Sequence, residues 1–180
     1  KRGQQEIITN LASMAHNIIA VEDDIRFFCK AYKFLCEIKS LGGVYSFPSI
    51  SGRNIKVKRA YDPALLQRHS YNQIIKNDIL FHKDKSQIFI LTGANAGGKS
   101  VYVNTVCSVQ VLFQLGLPVT AAVAEMSPVD CIFTHYTSKA ESADDESRFE
   151  SECIKMKQII DSMTEKSIIL LDETFSSTAS

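Results

Sequence analysis

The sequence predicts an α/β chain in which a long helix is followed by a three-layer domain with a phosphate-binding loop. Residues 7–35 repeat apolar side chains at helical spacing, and residues 93–100 read GANAGGKS between a predicted strand and a predicted helix. A second short apolar strand ends in two adjacent acidic residues, Asp172 and Glu173. The length of 180 residues suits one domain with an appendage, and we place the helix at 1–43 and the domain at 44–180.

The composition is that of an ordinary globular protein. Hydrophobic residues make up 45% of the chain and charged residues 22%, which excludes a disordered or fibrous class. No run of about 18 apolar residues is present, so we expect no membrane span and no membrane partner. Twenty basic and twenty acidic residues cancel, which argues against the whole chain being a basic surface for nucleic acid.

The cysteines and histidines do not form a recognisable metal or catalytic motif. None of the five cysteines forms a C-x-x-C pair, so we expect reduced thiols. The histidines have no Ser or Cys arrangement typical of a triad, and we predict structural or surface roles for all of them: His16, His69, His82 and His135. The chain begins at Lys1 and shows no signal peptide pattern. We therefore expect part of a longer intracellular protein, cytoplasmic in a bacterium or nuclear in a eukaryote, whose domain is incomplete at its C-terminal end.

The first forty residues have the spacing of a single helix. An apolar seam recurs at alternating steps of four and three: Ile7, Leu11, Met14, Ile18, Val21, Ile25, Phe28, Tyr32 and Leu35. Neither Gly nor Pro occurs between Gln4 and Leu41, and the Gly42–Gly43 pair supplies a helix stop. We favour a connector to another part of the protein. Two shorter core helices with a bend near residues 22–24 are the alternative.

The stretch from residue 44 to residue 86 reads as short strands. Ile55–Lys58 alternates in character, and Asp78–Phe81 is a second strand candidate. The main basic cluster lies here and consists of Arg53, Lys56, Lys58 and Arg59. Such a cluster is typical of the solvated face of an edge strand, so we assign it no DNA role.

The phosphate loop carries the clearest chemical signal. Residues 86–92 read as a buried strand that runs into the loop at 93–100, and a helix is predicted from there to about residue 115. The glycines allow backbone N–H groups to surround phosphate oxygens, while Lys99 supplies a cation and the Ser100 hydroxyl a ligand for Mg²⁺. The pattern predicts nucleotide binding.

The acidic pair at the end of the chain fits the same site. Residues 167–171 form a short apolar strand that finishes at Asp172 and Glu173. On a strand parallel to the one before the loop, Asp172 would hold Mg²⁺ and Glu173 would polarise the attacking water. A simple cap on a buried strand is the alternative.

A third element precedes this strand. Ser147 and Glu150 match a capping box that opens an amphipathic helix. Two interpretations remain open for it. It is either a plain helix cap on an exposed loop or an anion-binding helix start, with Ser147 facing a nucleotide held by another subunit.

Together these residues resemble the ATPase domain of the MutS family of DNA mismatch repair proteins, which belongs to the ABC-type ATPases. The similarity covers residues from about 55 to 180. Its motifs are Thr92–Ser100, Pro128–Thr134, Ser147 with Phe149, and Leu170–Glu173 with Thr178; Tyr61–Leu66 and Ile74–Asp78 resemble the family's approach to the first ATPase strand. The long helix fits the family's connection to its lever region.

The resemblance implies a nucleotide site, a catalytic set and a metal pair. It makes Asn95 a γ-phosphate contact, Ser147 a signature serine acting across a dimer, and Ile74 with Ile75 a wall for adenine. The implied ATP-binding residues are Gly93, Ala94, Asn95, Ala96, Gly97, Gly98, Lys99, Ser100, Val101, Ile74 and Ile75; the catalytic residues are Glu173, Lys99 and Ser147; the Mg²⁺ ligands are Ser100 and Asp172. The implied partners are a second copy or a MutS-like relative, and double-stranded DNA bound through other regions.

Departures from the family pattern keep other functions open. Val101 stands where the family usually has Thr, and the acidic residues Asp145 and Glu146 precede Ser147. Negative charge near bound phosphates weakens their binding. These departures indicate a divergent branch, and a nucleotide-dependent interaction module with little turnover is an alternative to an ATPase. Another ABC-type DNA repair ATPase is the second alternative.

Overall fold

The computed structural model divides the chain into two compact units, 1–42 and 43–180. It describes residues 2–52, 54–82, 88–94, 97–136 and 145–173. The described part is a mixed α/β structure with two small sheets. None of its helices is long and apolar enough to cross a membrane.

The first unit is one continuous helix, α1, over Arg2–Ser40. It ends as the sequence predicts, because Gly42 adopts a left-handed φ of 76° and its N–H donates to the Lys39 carbonyl at 3.0 Å. The described seam side chains from Ile7 to Tyr32 are exposed to solvent. The apolar pattern of α1 is therefore not accounted for by packing within this unit.

A four-stranded sheet opens the second unit. Its strands are β1 (Ser49–Ile50), β2 (Asn54–Ala60), β3 (Asn77–His82) and β4 (Val123–Met126), in the order β1-β4-β2-β3. β2 runs antiparallel to both β3 and β4, and β1 is parallel to β4. The predicted strands at 55–58 and 78–81 are confirmed.

Apolar and aromatic side chains hold this sheet together. Val57, Ile79 and Met126 are almost completely buried. Tyr61 follows β2 and is also buried, with its hydroxyl donating to the Val44 carbonyl at 2.9 Å. Burial raises the pKa of Tyr61, so its hydroxyl keeps the proton that it donates.

The basic side chains of β2 pair with acidic neighbours in the sheet. Lys56 Nζ lies 3.4 Å from Glu125, and Lys58 Nζ lies 2.7 Å from Asp78. The hydrogen bond from Lys58, followed by the one from the Arg59 backbone N–H, lowers the pKa of Asp78. These partners account for Lys56 and Lys58 within the sheet. Arg53 lies outside the described residues.

The second sheet, as far as it is described, is one pair of parallel strands. Its strands are β5 (Ile132–Tyr136) and β6 (Ile168–Asp172), with α2 (Lys99–Gln114) packed against β6 and α3 (Asp145–Ser162) against β5. The predicted strand at 167–171 and the predicted helix to about residue 115 are confirmed. Both strands end at the same edge, so their last residues lie side by side.

The prediction of a strand directly before the phosphate loop is wrong for the residues that the structure describes. Residues 88–94 have no regular secondary structure, and Ile88 and Ile90 are 84% and 86% exposed. A run of apolar residues indicates that the segment is buried, but a strand also needs a neighbouring strand to pair with its backbone N–H and C=O groups. β5 and β6 pair with each other, and the Phe89 ring instead packs edge-on against Phe81 of β3 at a centroid distance of 4.9 Å.

The prediction that Ser147 is the cap residue of a capping box is also wrong. α3 begins at Asp145, two residues before Ser147, so Ser147 lies inside the first turn rather than at the cap position. A cap residue lies at the boundary of the regular helix, whereas Ser147 has helical residues on both sides.

Candidate nucleotide site

Two glycines of the phosphate loop, Gly97 and Gly98, are required by the backbone geometry. The Gly97 N–H donates to the Ala94 carbonyl at 3.0 Å, and a Cβ on Gly97 would lie 2.8 Å from that same oxygen. Gly98 caps the N-terminus of α2 with a left-handed φ of 88°, a conformation that residues other than glycine rarely adopt. Gly97 and Gly98 therefore lead the chain directly into a helix in a conformation that favours glycine at both positions.

Lys99 is the first residue of α2 and folds back over the loop. Its Nζ donates to the carbonyls of Gly93 and Ala94, at 3.1 Å each. The ammonium group thus lies above the turn, where the N-terminus of α2 adds partial positive charge. This combination favours an anion at the loop.

The remaining loop residues follow the first turn of α2. Ser100 is exposed, and Val101 is half-buried, with its carbonyl accepting the Thr105 hydroxyl at 2.7 Å. The Ser100 hydroxyl is therefore at the surface beside Lys99. Asn95 and Ala96 lie outside the described residues.

The acidic pair lies at the end of β6, the strand against which α2 packs. Asp172 is half-buried as the last residue of the strand, and Glu173 is exposed just beyond it. Glu173 has a left-handed φ of 51°, which is uncommon for a residue with a side chain. The backbone consequently turns sharply between the two carboxylates.

Tyr136 lies beside the acidic pair, and no sequence motif predicts it there. It ends β5 and is the direct ladder partner of Asp172. Burial raises the pKa of its phenol most, and the charges of Cys107, Asp172 and Asp62 raise it further. The only sequence signal for it is a polar ring at the end of an apolar strand, which many strands share.

His135 precedes Tyr136 and is buried, with 5% of its surface exposed. Neither ring nitrogen has a hydrogen-bond partner in the described structure. In the ladder it lies opposite Leu171, so alternation along β5 puts it on the face of the sheet opposite to Tyr136. Its burial fits the structural role predicted from the sequence.

The structure describes only some of the residues expected to border the adenine base or to act across a dimer. Ile74 is buried in the domain interior, while Ile75 is 80% exposed, so Ile75 presents the larger free surface of the two. Ser147 lies in the first turn of α3, and its side chain is outside the described set, as is Thr178. These assignments stay predictions.

A glycine-rich loop that leads into a helix, beside a strand that ends in acidic residues, is typical of proteins that bind a nucleotide through its phosphates. The sequence-family model for MutS domain V matches residues 89–180, just over half of the chain. The chain therefore belongs to the MutS family, and the resemblance drawn from its motifs is confirmed. Domain V is an ATPase domain.

Individual relatives agree with the family match. The chain is 30% identical over 163 residues to the DNA mismatch repair protein MSH3 of Meyerozyma guilliermondii, covering 85% of this chain and 17% of the relative. It is 34% identical over 118 residues to the DNA mismatch repair protein MutS of Clostridium perfringens, covering 66% and 13%. With MSH3 of Kluyveromyces lactis it shares 35% over 121 residues, covering 67% and 12%. The chain thus spans less than a fifth of each relative's length.

Proposed function

We propose that this chain is the ATP-binding and ATP-hydrolysing part of a MutS-like DNA mismatch repair protein, with a three-layer ABC-type phosphate-loop fold. The observation that carries the proposal is the loop itself. A side chain at Gly97 would clash with the Ala94 carbonyl, and Gly98 has a left-handed backbone. Lys99 holds its ammonium group over this part of the loop at the N-terminus of α2.

The loop fits a triphosphate because its charge and backbone both favour one. The β- and γ-phosphate oxygens would replace the carbonyls of Gly93 and Ala94 as partners of the Lys99 ammonium. Backbone N–H groups of the loop and of the first turn of α2 would bind the remaining oxygens. Asn95 would contact the γ-phosphate, and Ile75 with Ile74 would border the base.

The residues also fit Mg²⁺ as the second component. Ser100 offers a hydroxyl and Asp172 a carboxylate, both hard oxygen ligands of the kind that magnesium prefers alongside water and phosphate oxygens. Ser100 is exposed at the start of α2, and Asp172 ends the strand that α2 packs against. When bound, Mg²⁺ would neutralise charge on the β- and γ-phosphates.

Hydrolysis requires a group that polarises water, and Glu173 is the residue proposed for it. It directly follows Asp172, is exposed, and has a backbone conformation that turns away from the strand. Ser147 of a second subunit would complete the site, in a homodimer or in a heterodimer with a MutS-like relative. The names of the relatives support a role in DNA mismatch repair. In this role the dimer would couple nucleotide state to clamping on double-stranded DNA, with α1 as the connector to a lever region.

The test is Glu173→Gln in the full-length protein. Loss of a positioned general base typically lowers a rate by about 10² to 10⁴, so steady-state ATP hydrolysis should fall at least about tenfold. ATP binding in the presence of Mg²⁺, measured by isothermal titration calorimetry, should stay within about twofold because Gln keeps the size of the side chain.

Glu165→Gln is the matched control, since Glu165 is an exposed glutamate in the turn before β6. It should hydrolyse ATP at the wild-type rate. Wild-type turnover by Glu173→Gln would place the base elsewhere. Tight ATP binding by the unmodified protein with negligible hydrolysis would instead identify an interaction module, the function that acidic residues beside Ser147 favour.

A further inference from the structure

Tyr136 and Asp172 occupy equivalent positions on neighbouring strands. They are the last residues of β5 and β6, and their Cα atoms are direct partners in the parallel ladder. Partners in register project to the same face of a sheet, with backbones about 4.8 Å apart. The phenol and the carboxylate therefore share one face and one edge of the β5–β6 pair.

The phenol of Tyr136 lies close to groups of the candidate nucleotide site. Cys107 of α2, Asp172 and Asp62 are the charged or ionisable neighbours that act on it, and the ring is 40% exposed. α2 begins at Lys99, so the helix that carries the phosphate loop also borders Tyr136. The ring thus lies near both this helix and the proposed magnesium ligand.

Resting on the proposed function, we propose that Tyr136 positions the Asp172 carboxylate for Mg²⁺. A phenol keeps its proton at neutral pH and is a hydrogen-bond donor. Donation to one Asp172 oxygen would fix the rotation of the carboxylate and direct the other oxygen toward the metal. Partners of this kind typically change metal affinity by about 10- to 100-fold, although they do not touch the ion.

The experiment is Tyr136→Phe in the full-length protein, with ATP binding followed by calorimetry in EDTA and across a Mg²⁺ titration. The substitution removes only the hydroxyl, so ATP affinity in EDTA should stay within about twofold. The Mg²⁺ concentration that gives half of the metal-dependent gain in affinity should rise about tenfold or more. Asp172→Asn should abolish most of that gain, and adding Tyr136→Phe to it should change nothing further.

Tyr102→Phe is the matched control. Its hydroxyl is also half-buried but donates to the Asp78 carbonyl at 3.3 Å, on the other sheet. It should leave the Mg²⁺ requirement unchanged. An unchanged Mg²⁺ requirement in Tyr136→Phe overturns the inference, and so does an equal loss of affinity with and without Mg²⁺. Failure of the unmodified protein to bind ATP would overturn the proposed function instead.

Discussion

Adjacent glycines in the phosphate loop are needed for different reasons. Gly98 must adopt a left-handed backbone, whereas Gly97 is short of space because the Ala94 carbonyl lies where its Cβ would be. The first constraint is on a dihedral angle and the second on a distance. Because the obstructing atom belongs to the backbone, the loop itself would have to move to relieve the second.

Gly97→Ala should therefore weaken ATP binding about tenfold or more. A Cβ at 2.8 Å from a backbone oxygen forces a shift of the kind that costs about 1–3 kcal/mol, and the shift displaces the N–H groups proposed to bind phosphate. Isothermal titration with ATP and Mg²⁺ measures the loss.

Gly52→Ala is the control for this loop variant, because nothing lies within 4 Å of a Cβ built there and its φ is not left-handed. It should bind ATP within about twofold of the unmodified protein. Melting temperatures by circular dichroism should agree for both variants. Unchanged affinity in Gly97→Ala would show that the loop is wide enough for a side chain when nucleotide binds.

Residue types alone predict part of the candidate site. Lys99 and Ser100 belong to a motif whose spacing is fixed by the geometry of phosphate binding, and Asp172 was predicted as the acidic end of a short apolar strand. Tyr136 could not be predicted in the same way, because its role depends on the register between β5 and β6. Register is a relation between strands far apart in sequence, and no local pattern encodes it.

At the level of elements, β3 shows how alternation divides a strand between interior and surface. Ile79 is buried with about 2% of its surface exposed, and the neighbouring Leu80 is about half exposed. The two residues have the same volume and differ mainly in the face they occupy. They offer a direct measure of what the sheet core contributes.

Ile79→Ala should lower the free energy of unfolding by about 2–5 kcal/mol, since it removes buried methyl groups and leaves a cavity. Leu80→Ala removes as many carbon atoms from a partly solvated position and should cost well under half as much. Urea denaturation followed by circular dichroism gives both values. Equal losses would mean that both faces of β3 are covered in the full protein.

Local sequence predicts some elements and misses others for a physical reason. β2, β3, β6 and α2 carry their own periodicity or motif, and all four were predicted. β4 at Val123–Met126 has only four residues, too few to show a periodicity in the sequence, so its strand depends on pairing with β1 and β2. The segment at 88–92 is the converse case, since it has the apolar pattern of a strand but no ladder partner among the described residues.

At the scale of the whole molecule, the proposed mechanism divides the site between two subunits. Lys99 and Asp172 lie on α2 and β6, which pack against each other, while Ser147 lies on α3, which packs against β5. A serine that serves another subunit needs no contact with the loop of its own chain. The arrangement therefore calls for a test of two subunits together.

Mixing full-length Ser147→Ala with Glu173→Gln should restore hydrolysis. Each variant alone should be nearly inactive, because every site in its dimer carries a lesion. In a mixed dimer one composite site carries both lesions and the other carries none. Random pairing in a two-fold dimer should recover about a quarter of the wild-type rate per subunit, measured by phosphate release.

Exchange of subunits is the control for the mixture, and capture of one tagged variant with the other demonstrates it. Absence of recovery despite mixed dimers would assign Ser147 to the site of its own chain. Substantial activity of Ser147→Ala alone would remove the serine from the mechanism.

The left-handed backbone at Glu173 lowers the stability of the fold at the position whose carboxylate is proposed for hydrolysis. A residue with a side chain in this conformation costs about 1–2 kcal/mol relative to glycine, which enters it freely. Engineering for heat resistance alone would therefore replace Glu173 with glycine, and the gain in stability would remove the carboxylate that the proposed hydrolysis requires. A heat-resistant variant obtained in this way would retain the loop and the acidic ligand at 172 and lose turnover.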